Sequence, residues 1–89
     1  VMMDLHVGLD KNEQSFYVTV DKEHKAVVTY AIRDGVWYLE HTLVPHELSG
    51  KGIGGKLAKY VFDYLSEHKI AYKSICTFLV AYEQKQVAK

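Results

Sequence analysis

Four of the six glycines in the protein fall within one short stretch. The stretch comprises Ser49, Gly50, Lys51, Gly52, Ile53, Gly54, Gly55 and Lys56. Glycine is costly inside a helix but lets a ligand approach the backbone closely. The density of glycines therefore favours a ligand-binding role over a helix start that only needs flexible backbone. Amides at the start of a helix have no intrahelical acceptor and attract anions. The stretch therefore predicts a phosphate or pyrophosphate site, to which Lys51 and Lys56 add positive charge.

Two common phosphate-binding motifs match this stretch poorly. Residues 50–56 follow the Walker A pattern G-x-x-x-x-G-K, but Leu57 stands where the Mg²⁺-binding Ser or Thr belongs. A dinucleotide-binding turn follows the first strand of its fold, with an acidic residue about 20 positions later. Here the glycines follow the third predicted strand. Neither a nucleotide hydrolase nor a dinucleotide-binding fold is favoured.

Length, charge and cysteine content exclude further classes. The chain has 89 residues, which predicts a single domain over residues 1–89. Lys and Arg together number 11, as do Asp and Glu, and this neutral balance disfavours an electrostatic nucleic-acid binder. Cys76 is the only cysteine, so no intrachain disulfide can form and a reducing, cytoplasmic compartment is favoured. No apolar run approaches the roughly 18 residues of a membrane span.

The expected partners follow from the same observations. We expect neither nucleic acid nor membrane as a partner, and a monomer or weak homodimer. His41 and His46 flank a proline turn, but no cysteine pair joins them, so the pattern does not predict a zinc site.

Pro45 separates two patterns along the chain. Before it, runs of β-branched and aromatic residues predict strands over residues 16–20, 26–32 and 36–44, and residues 5–7 are a candidate edge strand. The dipeptide Asp34-Gly35 predicts a hairpin turn between the second and third of these strands. After Pro45, apolar residues at helical spacing predict a helix over residues 51–68, followed by a strand over 71–76. A last helix is predicted over 78–86, with Phe78, Leu79 and Tyr82 on one face.

This order predicts an α/β chain of the α+β kind, with a mixed, mostly antiparallel sheet. The third strand, the long helix and the fourth strand form a βαβ crossover, which makes those two strands parallel. A C-terminal helix completes the fold. Ligands of such sheets bind beyond the carboxyl ends of the strands, where a loop enters a helix. The predicted site therefore lies at residues 45–55.

Three segments around the glycines form a recognisable pattern. They are residues 41–45 (His-Thr-Leu-Val-Pro), residues 48–54 (Leu-Ser-Gly-Lys-Gly-Ile-Gly) and Leu57. The pattern resembles motif A of the GNAT N-acetyltransferase superfamily, whose turn has the form [QR]-x-x-G-x-[GA], although Ser49 replaces the usual Gln or Arg. Residues 75–78 and Tyr82 are similar to short, stand-alone GNAT-like proteins. The resemblance covers about residues 16–82.

The resemblance implies a truncated GNAT-like fold with acetyl-CoA as the acetyl donor. It implies a pyrophosphate on the amides of residues 49–55 and a pantetheine arm near Leu43 and Val44, between splayed strands. The implied activity is acetyl transfer to an amine on a small molecule or a peptide. The helices that normally follow the first strand and often cover the acceptor are missing here.

Acetyl transfer needs a base for the acceptor amine, a donor for the carbonyl oxygen and an acid for the departing thiolate. Backbone amides near Leu43 are candidate donors. Glu40 and His41 are candidate bases, and since neighbours on a strand point to opposite faces, only one of them should face the cleft. The resemblance implies a tyrosine near the thioester sulfur, which makes Tyr82 the candidate acid. A core aromatic residue explains Tyr82 equally well.

Cys76 is predicted to end the fourth strand, across the expected cleft from the third. Its thiol is a candidate nucleophile if its pKa is lowered, with His41 as the base and Tyr82 as the acid. Otherwise Cys76 is a small buried hydrophobic residue, and the amine attacks the thioester directly.

Two hypotheses compete with the acetyltransferase. The first is a non-catalytic CoA- or nucleotide-binding module, which Ser49 and the missing acceptor-side helices favour. The second is an interaction domain that uses its exposed edge strand and aromatic residues.

Overall fold

The predicted strands and helices all form in the computed structural model, which describes residues 5–50 and 52–87. The elements are β1 (His6–Asp10), β2 (Ser15–Thr19), β3 (Lys25–Arg33), β4 (Val36–Leu43), a 3₁₀ turn (His46–Leu48), α1 (Ile53–Glu67), β5 (Tyr72–Ser74) and α2 (Thr77–Val87). The candidate edge strand is confirmed, and it extends further along the chain than predicted. Lys51 lies outside the described residues.

One five-stranded sheet joins the strands in the order β1-β2-β3-β4-β5. The first four are antiparallel neighbours, and β5 pairs parallel with β4 after the α1 crossover. The mixed, mostly antiparallel α+β fold is therefore confirmed. Asp34 and Gly35 form the β3–β4 hairpin with φ angles of 52° and 77°, the positive values that a two-residue turn of this type requires.

A core of aromatic and aliphatic side chains holds α1 against the sheet. The buried residues of α1 recur at helical spacing as Ile53, Leu57, Ala58, Val61 and Leu65. Phe16 of β2, fully buried, contacts the rings of Tyr60 and Tyr64 on α1. The predicted apolar stripe is thus confirmed, and it fixes the start of α1 at the end of β4.

Most boundaries shift by one or two residues, and two of the shifts have physical reasons that bear on the site. Gly52 adopts a left-handed conformation with φ 75°, so α1 begins at Ile53 rather than at residue 51. The last strand ends at Ser74, because the amides of Ile75 and Cys76 both donate to the Leu39 carbonyl at 2.9 and 3.1 Å and turn the chain. Cys76 therefore precedes α2 instead of ending a strand.

The inward face of α2 also differs from the prediction. Leu79 is fully buried and Tyr82 is half-buried, but Phe78 is 42% exposed. The Phe78 ring lies beside Gly54 at the start of α1, so the two helix starts are neighbours. Within the described residues, no helix is long and apolar enough to cross a membrane.

Candidate functional site

The start of α1 offers unpaired backbone amides. The first intrahelical hydrogen bond runs from the Lys56 amide to the Gly52 carbonyl at 3.1 Å, which leaves the amides of Ile53, Gly54 and Gly55 without an intrahelical acceptor. Among the residues that the structure describes, no side chain caps this helix end. The positive end of the helix dipole adds to the attraction for an anion. The residues at this turn therefore fit a phosphate group.

The glycines of this turn are needed for different reasons. Gly50 and Gly52 have φ angles of 78° and 75°, which other residues adopt only with strain. Gly54 has a packing reason, because a Cβ there would lie 3.1 Å from the Phe78 ring and 3.7 Å from a methyl of Val44. A Cβ on Gly55 would meet no atom within 4 Å.

The polar side chains beside the glycines contribute less than the amides. The Ser49 hydroxyl donates to the His46 carbonyl at 2.8 Å and so does not cap α1. Lys56 is exposed one turn into the helix. Because nothing is described for Lys51, its predicted contribution of charge stays a prediction.

A gap opens between β4 and the segment that follows β5. The two strands pair only from Trp37 with Tyr72 to Leu39 with Ser74. Beyond that point β4 continues to Leu43, whereas the segment that follows β5 turns into α2. Pairing stops because β5 itself ends there, and the splayed strands that the family resemblance implies stay a prediction. Val44, Gly54 and Phe78 meet at the mouth of this gap, beside the start of α1.

Cys76 lies inside the gap as the residue that caps α2. Its carbonyl accepts the first helical hydrogen bond, from the Val80 amide at 3.0 Å. Its thiol donates to the hydroxyl oxygen of Thr42 on β4, with the sulfur and oxygen 3.3 Å apart. The side chain is half-buried. The amides of Phe78 and Leu79, in the first turn of α2, and the amide of Thr42 also point at the sulfur.

These contacts make the thiol more acidic. Partial burial alone raises the pKa of the Cys76 thiol, because it disfavours the charged thiolate. The Thr42 hydroxyl and the three backbone amides act against burial by donating hydrogen bonds to that thiolate. The hydrogen bonds outweigh burial, and the pKa of Cys76 lies below that of an ordinary cysteine. This direction of the pKa shift is the one that the nucleophile hypothesis requires, and the role of Cys76 as a nucleophile stays a prediction.

The register of β4 decides which of its amides face the gap. Because the Thr42 amide points at Cys76, and amides of successive strand residues alternate in direction, the Leu43 amide faces β3 instead. The candidate donors inside the gap are thus the amides of Thr42 and Val44. The Leu43 side chain is 59% exposed and lines a shallow groove of about 480 Å³ with Val27 and Lys25.

A β-bulge interrupts β4 at Glu40. Tyr30 of β3 pairs with Leu39 and the preceding Thr29 pairs with His41, so Glu40 is an extra residue in β4. An extra residue breaks the strict alternation of side chains along a strand. The prediction that Glu40 and His41 point to opposite faces depends on that alternation.

That prediction is wrong, because Glu40 and His41 share the outer face, the face of the sheet opposite α1 and α2. His41 pairs with Thr29, whose two neighbours in β3 are buried under α1. The Glu40 carboxylate lies 3.7 Å from the Arg33 guanidinium, which in turn covers the Tyr38 ring on that face. Thr42 faces Cys76, so its neighbour His41 points away from the thiol.

The contacts of Tyr82 are those of a packed aromatic residue. Its ring stacks on Phe62 of α1, with centroids 5.8 Å apart and planes 7° from parallel. The role of Tyr82 as an acid stays a prediction.

Sequence reasoning missed two residues of this gap, Thr42 and Phe78. Thr42 stands next to His41 in the motif that carries the family resemblance, but no function was predicted for it. The helical spacing predicts Phe78 on the same face as Leu79 and Tyr82, and the segment that carries the resemblance includes it, but neither pattern predicts its contact with Gly54. The bulge at Glu40, which turns Thr42 toward Cys76, has no signal in the residues of β4.

A comparison with known families agrees with this geometry. The profile of a family described as GCN5-related N-acetyl-transferase matches residues 15–88. That range includes both helix starts, the bulge and the gap. No curated protein matches the chain.

Proposed function

Because the chain belongs to the GCN5-related N-acetyltransferase family, we propose that it binds acetyl-CoA and transfers the acetyl group to an amine. One observation carries the proposal. The uncapped start of α1 and the thiol of Cys76 open on the same gap, joined by Gly54 and Phe78 at its mouth. A ligand with an anionic end and a thioester end matches this pair of features.

The start of α1 would hold the pyrophosphate. The amides of Ile53, Gly54 and Gly55 are the donors, and the positive φ angles of Gly50 and Gly52 bring the backbone into the turn they need. Beyond Gly54, the end of β4, which does not pair with β5, would hold the pantetheine arm, with the Val44 amide as a backbone donor.

The chemistry proposed for the chain centres on Cys76. When bound, acetyl-CoA supplies an acetyl group activated as a thioester. The Cys76 thiolate, held by Thr42 and by the start of α2, is the nucleophile available to attack the thioester carbonyl. The carbon–sulfur bond to CoA then breaks and CoA leaves as a thiolate. The acceptor amine next attacks the acetyl group and displaces the Cys76 thiolate, and the proton that the amine loses balances the one that CoA takes up. A direct attack by the amine is the alternative, in which Cys76 only borders the reacting group.

A base for the acceptor amine would come from the outer face. His41 and Glu40 both lie there, and the helices pack on the opposite face. An amine that approaches from the outer face would therefore meet them before the gap. In this proposal His41 serves the acceptor and not the thiol.

A titration followed by a transfer assay tests the proposal. Acetyl-CoA and CoA are expected to bind, whereas ATP and NAD, which share phosphates but lack the pantetheine arm, should bind far more weakly. The protein should then acetylate at least one member of a panel of small amines and lysine peptides. Binding of CoA without any transfer would favour the non-catalytic module, and equal affinity for ATP would favour a general nucleotide site.

A further inference from the structure

The surroundings of the Cys76 sulfur consist of neutral hydrogen-bond donors. They are the hydroxyl and amide of Thr42 and the amides of Phe78 and Leu79. In a cysteine–histidine pair, a cation beside the sulfur stabilises the thiolate. Here Thr42 on β4 and the first turn of α2 stabilise the thiolate instead of a cation.

Ionisable side chains on the surrounding elements have other partners, are exposed, or lie on the outer face of the sheet. On α2, Glu83 accepts a hydrogen bond from the Tyr72 hydroxyl of β5 at 3.3 Å, and Tyr82 stacks on α1. On α1, Lys59 donates to Asp63 at 2.6 Å, and Lys56 is exposed. Those of β4 and β5 that lie on the outer face are Tyr38, Glu40, His41 and Lys73.

We propose that Thr42 is the positioning residue for Cys76, fixing its sulfur in the gap and stabilising it as a thiolate. The inference rests on the proposed function, in which that thiolate is used. It goes further by assigning the control of the thiol to Thr42 instead of to His41, its neighbour in the sequence.

The geometry of Thr42 suits this task. Its backbone is fixed by pairing with the fully buried Val28, and a β-branched side chain on a strand has few rotamers. Its hydroxyl accepts a hydrogen bond from the neutral thiol and, after a rotation about the C–O bond, donates one to the thiolate. Its amide is a second donor on the same residue. One residue thus holds the sulfur in both protonation states.

The pH profile of alkylation by iodoacetamide tests the assignment. The probe reports on Cys76 alone, since the protein has one cysteine. Thr42→Val keeps the shape of the side chain but removes the hydroxyl. We expect the midpoint of its profile to rise by about one pH unit, with alkylation about tenfold slower at a pH below both midpoints. At a pH above both midpoints the two rates should converge.

Two further variants separate positioning from general structure. Thr42→Ser restores the hydroxyl and should return the midpoint close to that of the wild type. His41→Gln should leave the midpoint where it is, because the imidazole points to the outer face. If Thr42→Val does not fold, as judged by circular dichroism, Thr42→Ala replaces it with the same expected rise.

The proposal is overturned if the Thr42 variants keep the wild-type midpoint, or if His41→Gln raises it instead. Because alkylation is measured without acetyl-CoA, its outcome does not depend on the proposed activity. A failed transfer assay with a shifted midpoint in Thr42→Val would reject the activity and keep the role of Thr42. A successful transfer assay with an unshifted midpoint in Thr42→Val would keep the activity and reject the role of Thr42.

Discussion

Replacing Cys76 with alanine is expected to slow acetyl transfer by at least about 100-fold, with little change in acetyl-CoA affinity. In the proposed mechanism the thiol is the nucleophile, and its pKa is lowered by donors on β4 and α2. Anion binding at α1 does not involve this side chain. The measurement compares the rate at saturating acetyl-CoA with the dissociation constant from an equilibrium titration.

Two controls distinguish the loss of the nucleophile from a loss of structure at the start of α2. Because Cys76 also caps α2, Cys76→Ala removes an acceptor of the Phe78 and Leu79 amides and weakens the helix start. Cys76→Ser keeps a capping acceptor without an acidic thiol, so it should regain stability but not transfer. Mass spectrometry of the wild-type protein mixed with acetyl-CoA alone should detect one acetyl group on Cys76. Near-normal turnover by Cys76→Ala would instead establish direct transfer to the amine.

The second large effect is expected from Gly54→Val. Its Cβ would lie 3.1 Å from the Phe78 ring and 3.7 Å from Val44, so the branched side chain narrows the mouth of the gap. We expect acetyl-CoA to bind about 10- to 100-fold more weakly. This loss of binding free energy is similar to the cost of overpacking a closely packed site. The measurement is a calorimetric titration of the folded variant.

The neighbouring glycine provides a matched control. A Cβ on Gly55 meets no atom within 4 Å, so Gly55→Ala makes a similar change to the helix without narrowing the gap. It should retain most of the affinity. If a folded Gly54→Val protein binds acetyl-CoA as tightly as the wild type, the arm of the ligand does not pass between α1 and α2.

The fold could be predicted from local patterns because its elements carry strong signals. The buried residues of α1 recur at helical spacing, and Asp34-Gly35 marks a hairpin whose two φ angles are positive, as that turn requires. The parallel pairing of β4 with β5 follows from the helix between them. The helix and the hairpin depend on residues close together in the sequence, and the parallel pairing follows from the connection that α1 makes between the two strands.

The site was predicted less completely, because it depends on contacts between distant segments. The bulge at Glu40 inserts one residue into the register with β3, and this moves Glu40 and His41 onto one face. Likewise, β5 ends at Ser74, before Cys76, because the amides of Ile75 and Cys76 both donate to the Leu39 carbonyl. The type and position of Cys76 indicated a reactive thiol, but its partner Thr42 is 34 residues away in the chain.

The central claim is that one gap holds acetyl-CoA from its pyrophosphate to its thioester. Amide chemical shifts of the ¹⁵N-labelled protein, recorded during an acetyl-CoA titration, test it most directly. The account predicts two groups of shifted amides, one at residues 52–55 at the start of α1 and one at Thr42, Val44 and residues 76–79 around the thiol. Shifts confined to β1 and β2, or no shift at saturating acetyl-CoA, would contradict it.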